Sequence, residues 1–298
     1  GGMSRIQMHP TDKNKIHVTM MVSTDSANVS PTRRTKVNYS SNGGATWAAV
    51  PATVPLLRGG YPSLALNPNF APPDYLAVLA NHSDPDGDGN MASYLYFEQS
   101  LGGLNFTDGY TPGIYGTDIA DQPIWPSLDV SSNGNTIIVA SQSTAGYLAA
   151  ATYDLNAVFS SWTVLDSTSS GASGGRQAVA TTSTTGKVAV AWHRIGSGTA
   201  SDTVVYKISD DNGVTWGSDQ VAAAASAGVK QLSWCGVDAI YLGNTLYIAY
   251  SALLPNSGGD FLYYGNRIEI YNANTGVTKV AINSTGVPGM AKAFNTSQ

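Results

Sequence analysis

The chain has 298 residues, a formal net charge of −5, and only 12% charged residues, against roughly a quarter in soluble domains. No basic stripe runs along it, which excludes a nucleic-acid-binding function. Cys235 is the single cysteine, so no intrachain disulfide staples the fold, and no apolar run reaches the length of a transmembrane segment.

Glu98 and Glu269 are the only glutamates; Gly, Ser, Thr, Asn and Ala make up the difference. That composition suits turns and strands rather than helices. Low charge with Ser, Thr and Asn richness points to an extracellular or cell-surface protein of bacterial type.

The strand-like runs fall into repeating units of about 50–65 residues. The first unit runs through 4–9, 16–22 and 34–40 and ends in Ser40-Ser41-Asn42-Gly43-Gly44-Ala45-Thr46-Trp47. The second has runs at 62–66, 75–80 and 93–98, closed by the worn copy Gln99-Ser100-Leu101-Gly102-Gly103-Leu104-Asn105-Phe106. The third opens with Trp125-Pro126-Ser127-Leu128, echoing Tyr61-Pro62-Ser63-Leu64, and continues at 136–140 and 147–153. The fourth covers 176–180, 188–193 and 203–209 and ends in Ser209-Asp210-Asp211-Asn212-Gly213-Val214-Thr215-Trp216. The fifth covers 234–240, 245–251 and 267–271, and the tail at 286–294 reads as the first strand of another unit.

The recurring octapeptide is a hairpin turn. Its Ser and Asp or Asn side chains accept hydrogen bonds from turn amides, its Gly takes positive φ, and its Trp starts the next strand. It resembles the Asp-box, or BNR repeat, of sialidase-like β-propellers. The resemblance implies an all-β fold: a β-propeller of four-stranded antiparallel blades, five visible plus the first strand of another, six- or seven-bladed when complete. Residues 1–298 then form a single propeller domain that belongs to a longer, larger chain, because both ends fall at first strands. Ser40, Asn42, Gly44, Trp47, Ser209, Asp211, Gly213 and Trp216 become structural residues on the face opposite the active site.

In such propellers the entry ends of the first strands lie on the ligand face. They bring Arg5, Arg58 with Tyr61, Trp125, Arg176 with Gln177, and Lys230 with Trp234 to one side. Tyr61, Trp125, Arg176 and Trp234 are the candidate ligand residues, the rings stacking on a glycan and the guanidinium donating to it. The competing reading has the aromatics plugging the channel and packing between blades. A sialidase implies an arginine triad, a Tyr/Glu pair and an Asp acid/base. Arg5, Asp25 and Arg176 are the candidates for that set, but Gln7 replaces the family's proline, and Glu98 and Glu269 fall on third strands toward the blade exterior. The expectation is therefore a module without catalysis that binds a glycan or a surface protein. The alternative is an exo-sialidase-like glycoside hydrolase.

Asp84-Pro85-Asp86-Gly87-Asp88-Gly89-Asn90 places three carboxylates at alternate positions, followed by Gly, like the first half of a calcium loop. Asp84, Asp86 and Asp88 are the candidate calcium ligands. The competing reading is a metal-free acidic turn.

Overall fold

A computed structural model describes residues 5–71, 74–84, 87, 89–113, 122–142, 146–154, 158–167, 177–181, 185–195, 202–255 and 267–283. They build five antiparallel sheets in chain order, a propeller-like arrangement with one short helix, α1 (Val29–Thr32). The first sheet holds β1 (Ile6–Met8), β2 (Ile16–Ser23), β3 (Arg33–Ser40) and β4 (Ala52–Thr53). The second holds β5 (Gly59–Ala71), β6 (Asp74–Ser83) and β7 (Ala92–Phe97). The third holds β8 (Ile124–Val130), β9 (Thr136–Gln142), β10 (Tyr147–Tyr153) and β11 (Thr163–Asp166). The fourth holds β12 (Gln177–Thr181), β13 (Val188–Arg194), β14 (Thr203–Ser209) and β15 (Gln220–Ala224). The fifth holds β16 (Gln231–Leu242), β17 (Thr245–Leu253), β18 (Arg267–Asn272) and β19 (Val277–Asn283).

The expectation of four strands in every sheet is corrected at the second, which has three. After β7 the worn turn returns through isolated bridges, Glu98 to Phe106 and Leu95 to Tyr110, instead of a continuous ladder. The expected further first strand at 286–294 lies outside the described residues.

Side chains in a strand alternate between two faces, and the middle sheets bury both. Ile137 and Val139 pack toward Val188, Val190 and Trp192 of the fourth sheet, while Ile138 between them packs toward Val78 and Ala80 of the second. Burial on both faces explains why β6, β9 and β13 read as continuous apolar runs rather than alternating ones. The end sheets differ. On the outward face of the first, Ile6 pairs with Val18 and Met8 with Ile16, and Ile6, Met8 and Met20 are exposed. On the outward face of the fifth, Ile240, Leu242, Tyr247, Ile270, Val277 and Val280 line an apolar groove of about 810 Å³.

The two full octapeptide turns use the same bonds. Ser40 Oγ accepts from the Gly44 amide at 2.9 Å, and Asn42 Oδ1 accepts from the Thr46 amide at 2.8 Å. Ser209 Oγ accepts from the Gly213 amide at 2.9 Å, and Asp211 Oδ1 accepts from the Thr215 amide at 2.8 Å. Gly44 and Gly213 both sit at φ +87°, which a side chain would oppose. Trp216 packs against the cluster between the third and fourth sheets, whereas Trp47 is 40% exposed.

Candidate active site

Two first strands carry the same device. The β5–β6 register slips between Gly60 and Ser63, and the β8–β9 register slips between Ile124 and Ser127. The extra residue of a bulge re-aims a side chain. Here the re-aimed residues are Tyr61 and Trp125, each just before a proline and each forced to positive φ, 51° and 56°. A bulky side chain in that region costs about 1–3 kcal/mol. The two rings meet edge to face, with centroids 6.1 Å apart.

Neighbouring strands complete the cluster. His82 of β6 stacks on Tyr61 at 5.7 Å and lies edge-on to Trp125 at 6.2 Å. The Arg33 guanidinium carbon, at the start of β3, sits 5.1 Å from the Tyr61 ring centroid. Gly60 makes room for it, since a Cβ there would lie 3.0 Å from Arg33 Cδ and 2.8 Å from Met21 Sδ. Arg58 enters from the strand approach and donates to the Ser30 carbonyl at 3.1 Å and the Ser30 hydroxyl at 2.9 Å. Tyr61 and Trp125 are half-buried.

The electrostatics are lopsided. Burial, then Arg33 and Arg58, pushes the His82 imidazole down to about 3, so it is neutral near pH 7. Both His82 ring nitrogens are buried without a hydrogen-bond partner. Burial also lowers Arg33, which Tyr61 partly offsets and Arg58 reinforces.

Arg5 and Asp25, also candidates from the sequence, do not join this cluster. Arg5 is exposed at the approach to β1. Asp25 is exposed, and its Oδ1 accepts from the amides of Ala27 at 2.8 Å and Asn28 at 3.2 Å, which ties it to its own loop. Arg176 lies outside the described residues, as does the side chain of Trp234, although β16 also slips register there, between Leu232 and Val237. Asp84 is buried, and its carboxylate accepts from the amides of Gly87 at 2.9 Å and Gly89 at 3.1 Å. Asp86 and Asp88 lie outside the described residues.

Both glutamates are buried. Glu98 Oε2 is buried 3.0 Å from His17 Nε2, tying the first two sheets together. Glu269 is buried where it accepts from the Tyr250 hydroxyl at 2.7 Å, beside Lys230 and Arg267. Hydrogen bonding and these cations lower its pKa against the opposing effect of burial.

Sequence reasoning missed Arg33 and the role of His82. The signal available was Gly59-Gly60 ahead of the aromatic-proline pair, a place where backbone must pass close to something large.

No protein-family model matches the chain, and no curated protein matches it. Solved structures do. A polysaccharide lyase, Uly1, aligns at 13% identity and TM-score 0.54, over 96% of this chain and 73% of that one. A Coprinopsis cinerea family-62 α-L-arabinofuranosidase aligns at 14% identity and TM-score 0.49, over 94% and 92%. A thermostable family-43 glycoside hydrolase aligns at 14% and 0.48, over 95% and 94%. At these identities the likeness establishes the propeller fold alone.

Two expectations are corrected here. The assignment to the Asp-box (BNR-repeat) sialidase-like family is not upheld, because no family model matches and the similar structure at TM-score 0.54 is a polysaccharide lyase. What the structure shows of the octapeptide is a locally closed turn. The reading as a binding or structural module without catalysis is set aside too, since the similar structure at TM-score 0.54 is that of a polysaccharide lyase. Among the described residues no helix is long and apolar enough to cross a membrane.

Proposed function

We propose that this chain is a carbohydrate-active enzyme that cleaves a glycosidic linkage at the mouth formed by Tyr61, His82 and Trp125, working outside the cell. The observation that carries the reading is the pair of bulged, positive-φ aromatics converging on one imidazole. Backbone strain of this kind persists where the surrounding fold over-determines it, and it clusters at active sites. Half-exposed rings set edge to face give a sugar an apolar wall to lie against, while guanidinium groups beside them supply donors for its hydroxyls. The fold likeness to a polysaccharide lyase supports the same substrate class.

The test is incubation of the purified chain with a panel of neutral and acidic polysaccharides, followed by assay of new chain ends. Cleavage of at least one glycan is expected, with loss of about tenfold or more in Trp125→Ala. Absence of new ends across the panel, or full activity in Trp125→Ala, overturns the proposal.

A further inference from the structure

Among the described residues, a buried cation without a counter-charge marks this mouth. Arg33 is 8% exposed, and its Nε is buried without an acceptor. Among the described residues neither Arg33 nor Arg58 has a carboxylate within ion-pair distance, and the partners of Arg58 are the neutral carbonyl and hydroxyl of Ser30. Arg33 is instead surrounded by the Tyr61 ring, the Gly60 backbone and the Met21 sulfur. Removing a guanidinium from water without a counter-charge is unfavourable, and the interaction with Tyr61 offsets only part of that effect. His82 supplies no compensation, because it has no charge near neutrality and no hydrogen-bond partner. Among the described residues the fold therefore holds two cations at an aromatic mouth and brings no anion to them.

We propose that this mouth takes an anionic sugar unit, its acid group seated on Arg33 and Arg58 and its ring against Tyr61 or Trp125. The inference rests on the reading of this mouth as a glycan site. The recognised chemistry is a carboxylate or a sulfate ester on the sugar. A planar carboxylate matches the guanidinium fork in two parallel hydrogen bonds, which favours a uronate. An incoming acid group restores the missing counter-charge in a partly desolvated place, where the attraction is strongest.

The experiment is titration calorimetry of the chain with glucuronic acid, galactose 6-sulfate, glucose and inorganic sulfate. Glucuronic acid is expected to bind at least about tenfold tighter than glucose, an advantage that shrinks with added salt. Arg33→Met should remove the advantage, a loss of about ten- to hundredfold, while its melting temperature stays level or rises because an unpaired charge has gone. Tighter binding of galactose 6-sulfate than of glucuronic acid identifies the sulfate ester as the group read. Gly60→Ala, which crowds Arg33 without removing its charge, should weaken the same preference and serves as the second variant.

Equal affinity for glucose and glucuronic acid overturns the inference. So does inorganic sulfate binding as tightly as either acidic sugar, or an intact preference in folded Arg33→Met. Anionic-sugar binding without bond cleavage sustains the inference and overturns the enzymatic reading. Cleavage confined to uncharged glycans does the reverse.

Discussion

The imidazole of His82 lies nearly face to face with the Tyr61 ring, centroids 5.7 Å apart and planes 18° from parallel. Burial, Arg33 and Arg58 hold it neutral down to about pH 3, against 6.5 for a free histidine. The unfolded chain thus takes up a proton first as pH falls. The stability linked to His82 is fully present above about pH 6.5 and drains away between there and pH 3. At ~1.4 kcal/mol for each pH unit of that window, the full effect is on the order of 5 kcal/mol. Urea unfolding measured across that window should show the decline, and His82→Phe, which keeps a ring against Tyr61, should flatten it. Identical pH slopes in the two proteins would show that His82 is not the group responsible.

Trp125 sits at φ 56°, where glycine is comfortable and every other residue is strained. Trp125→Gly and Trp125→Ala remove the same ring contacts, but only the glycine relieves the backbone. We expect Trp125→Gly to be the more stable of the two by about 1 kcal/mol in chemical denaturation, contrary to the ordinary order of the two residues. An alanine variant as stable as the glycine one would mean the bulge carries no strain.

How much of this is legible in the sequence follows from how local each feature is. The Ser40 and Ser209 turns are closed by bonds between residues at most four apart, so their chemistry can be read directly from the letters. Tyr61 and Trp125 are visible too, because both precede Pro-Ser at the start of a strand. What the letters do not show is that Arg33, from the preceding sheet, and His82, from the adjacent strand, meet them. That meeting depends on two register slips and on the packing of three sheets. The glutamates lie on or just past third strands, as the sequence suggests, but their partners are distant in the chain: His17 for Glu98, Tyr250 and Lys230 for Glu269.

Asn42 and Asp211 occupy the same place in their turns and make the same 2.8 Å bond to a threonine amide. They differ toward the threonine hydroxyl: Asn42 donates to Thr46 Oγ1, whereas Asp211 accepts from Thr215 Oγ1. A hydroxyl serves either role. Asp211→Asn is therefore expected to cost less than about 1 kcal/mol, and Asp211→Ala about 1–3 kcal/mol, because the amide and hydroxyl lose their partner. Equal costs in thermal unfolding would deny the carboxylate any special place in the turn.

For the loop at 84–90 we propose calcium binding. Asp84 already accepts from the Gly87 and Gly89 amides. Asp86 and Asp88 would then supply the further oxygens that a hard cation requires. Millimolar calcium is expected to raise the melting temperature through binding linkage, and Asp86→Ala should abolish the rise. A melting temperature indifferent to both calcium and chelator would reduce the loop to an acidic turn.

The final prediction concerns the outward faces of the first and fifth sheets. Ile240 is 55% exposed and Leu242 60%, both on the groove, while Ile6 at the other end is 66% exposed. Each inner sheet packs its two faces against neighbours, so these outward faces present the same kind of surface with nothing described against it. Contiguous apolar patches of this kind drive association. Replacing Ile240 and Leu242 with threonine keeps β-branched or strand-compatible side chains in β16 while removing much of the apolar area. The double variant should shift light-scattering mass toward the monomer at concentrations where the parent associates. Its urea midpoint should move little, because neither side chain contributes to the buried clusters. An association unchanged by the double variant would locate the sticky surface elsewhere, and the matching change on the first sheet, Ile6→Thr with Met20→Thr, would then be the one that restores the monomer.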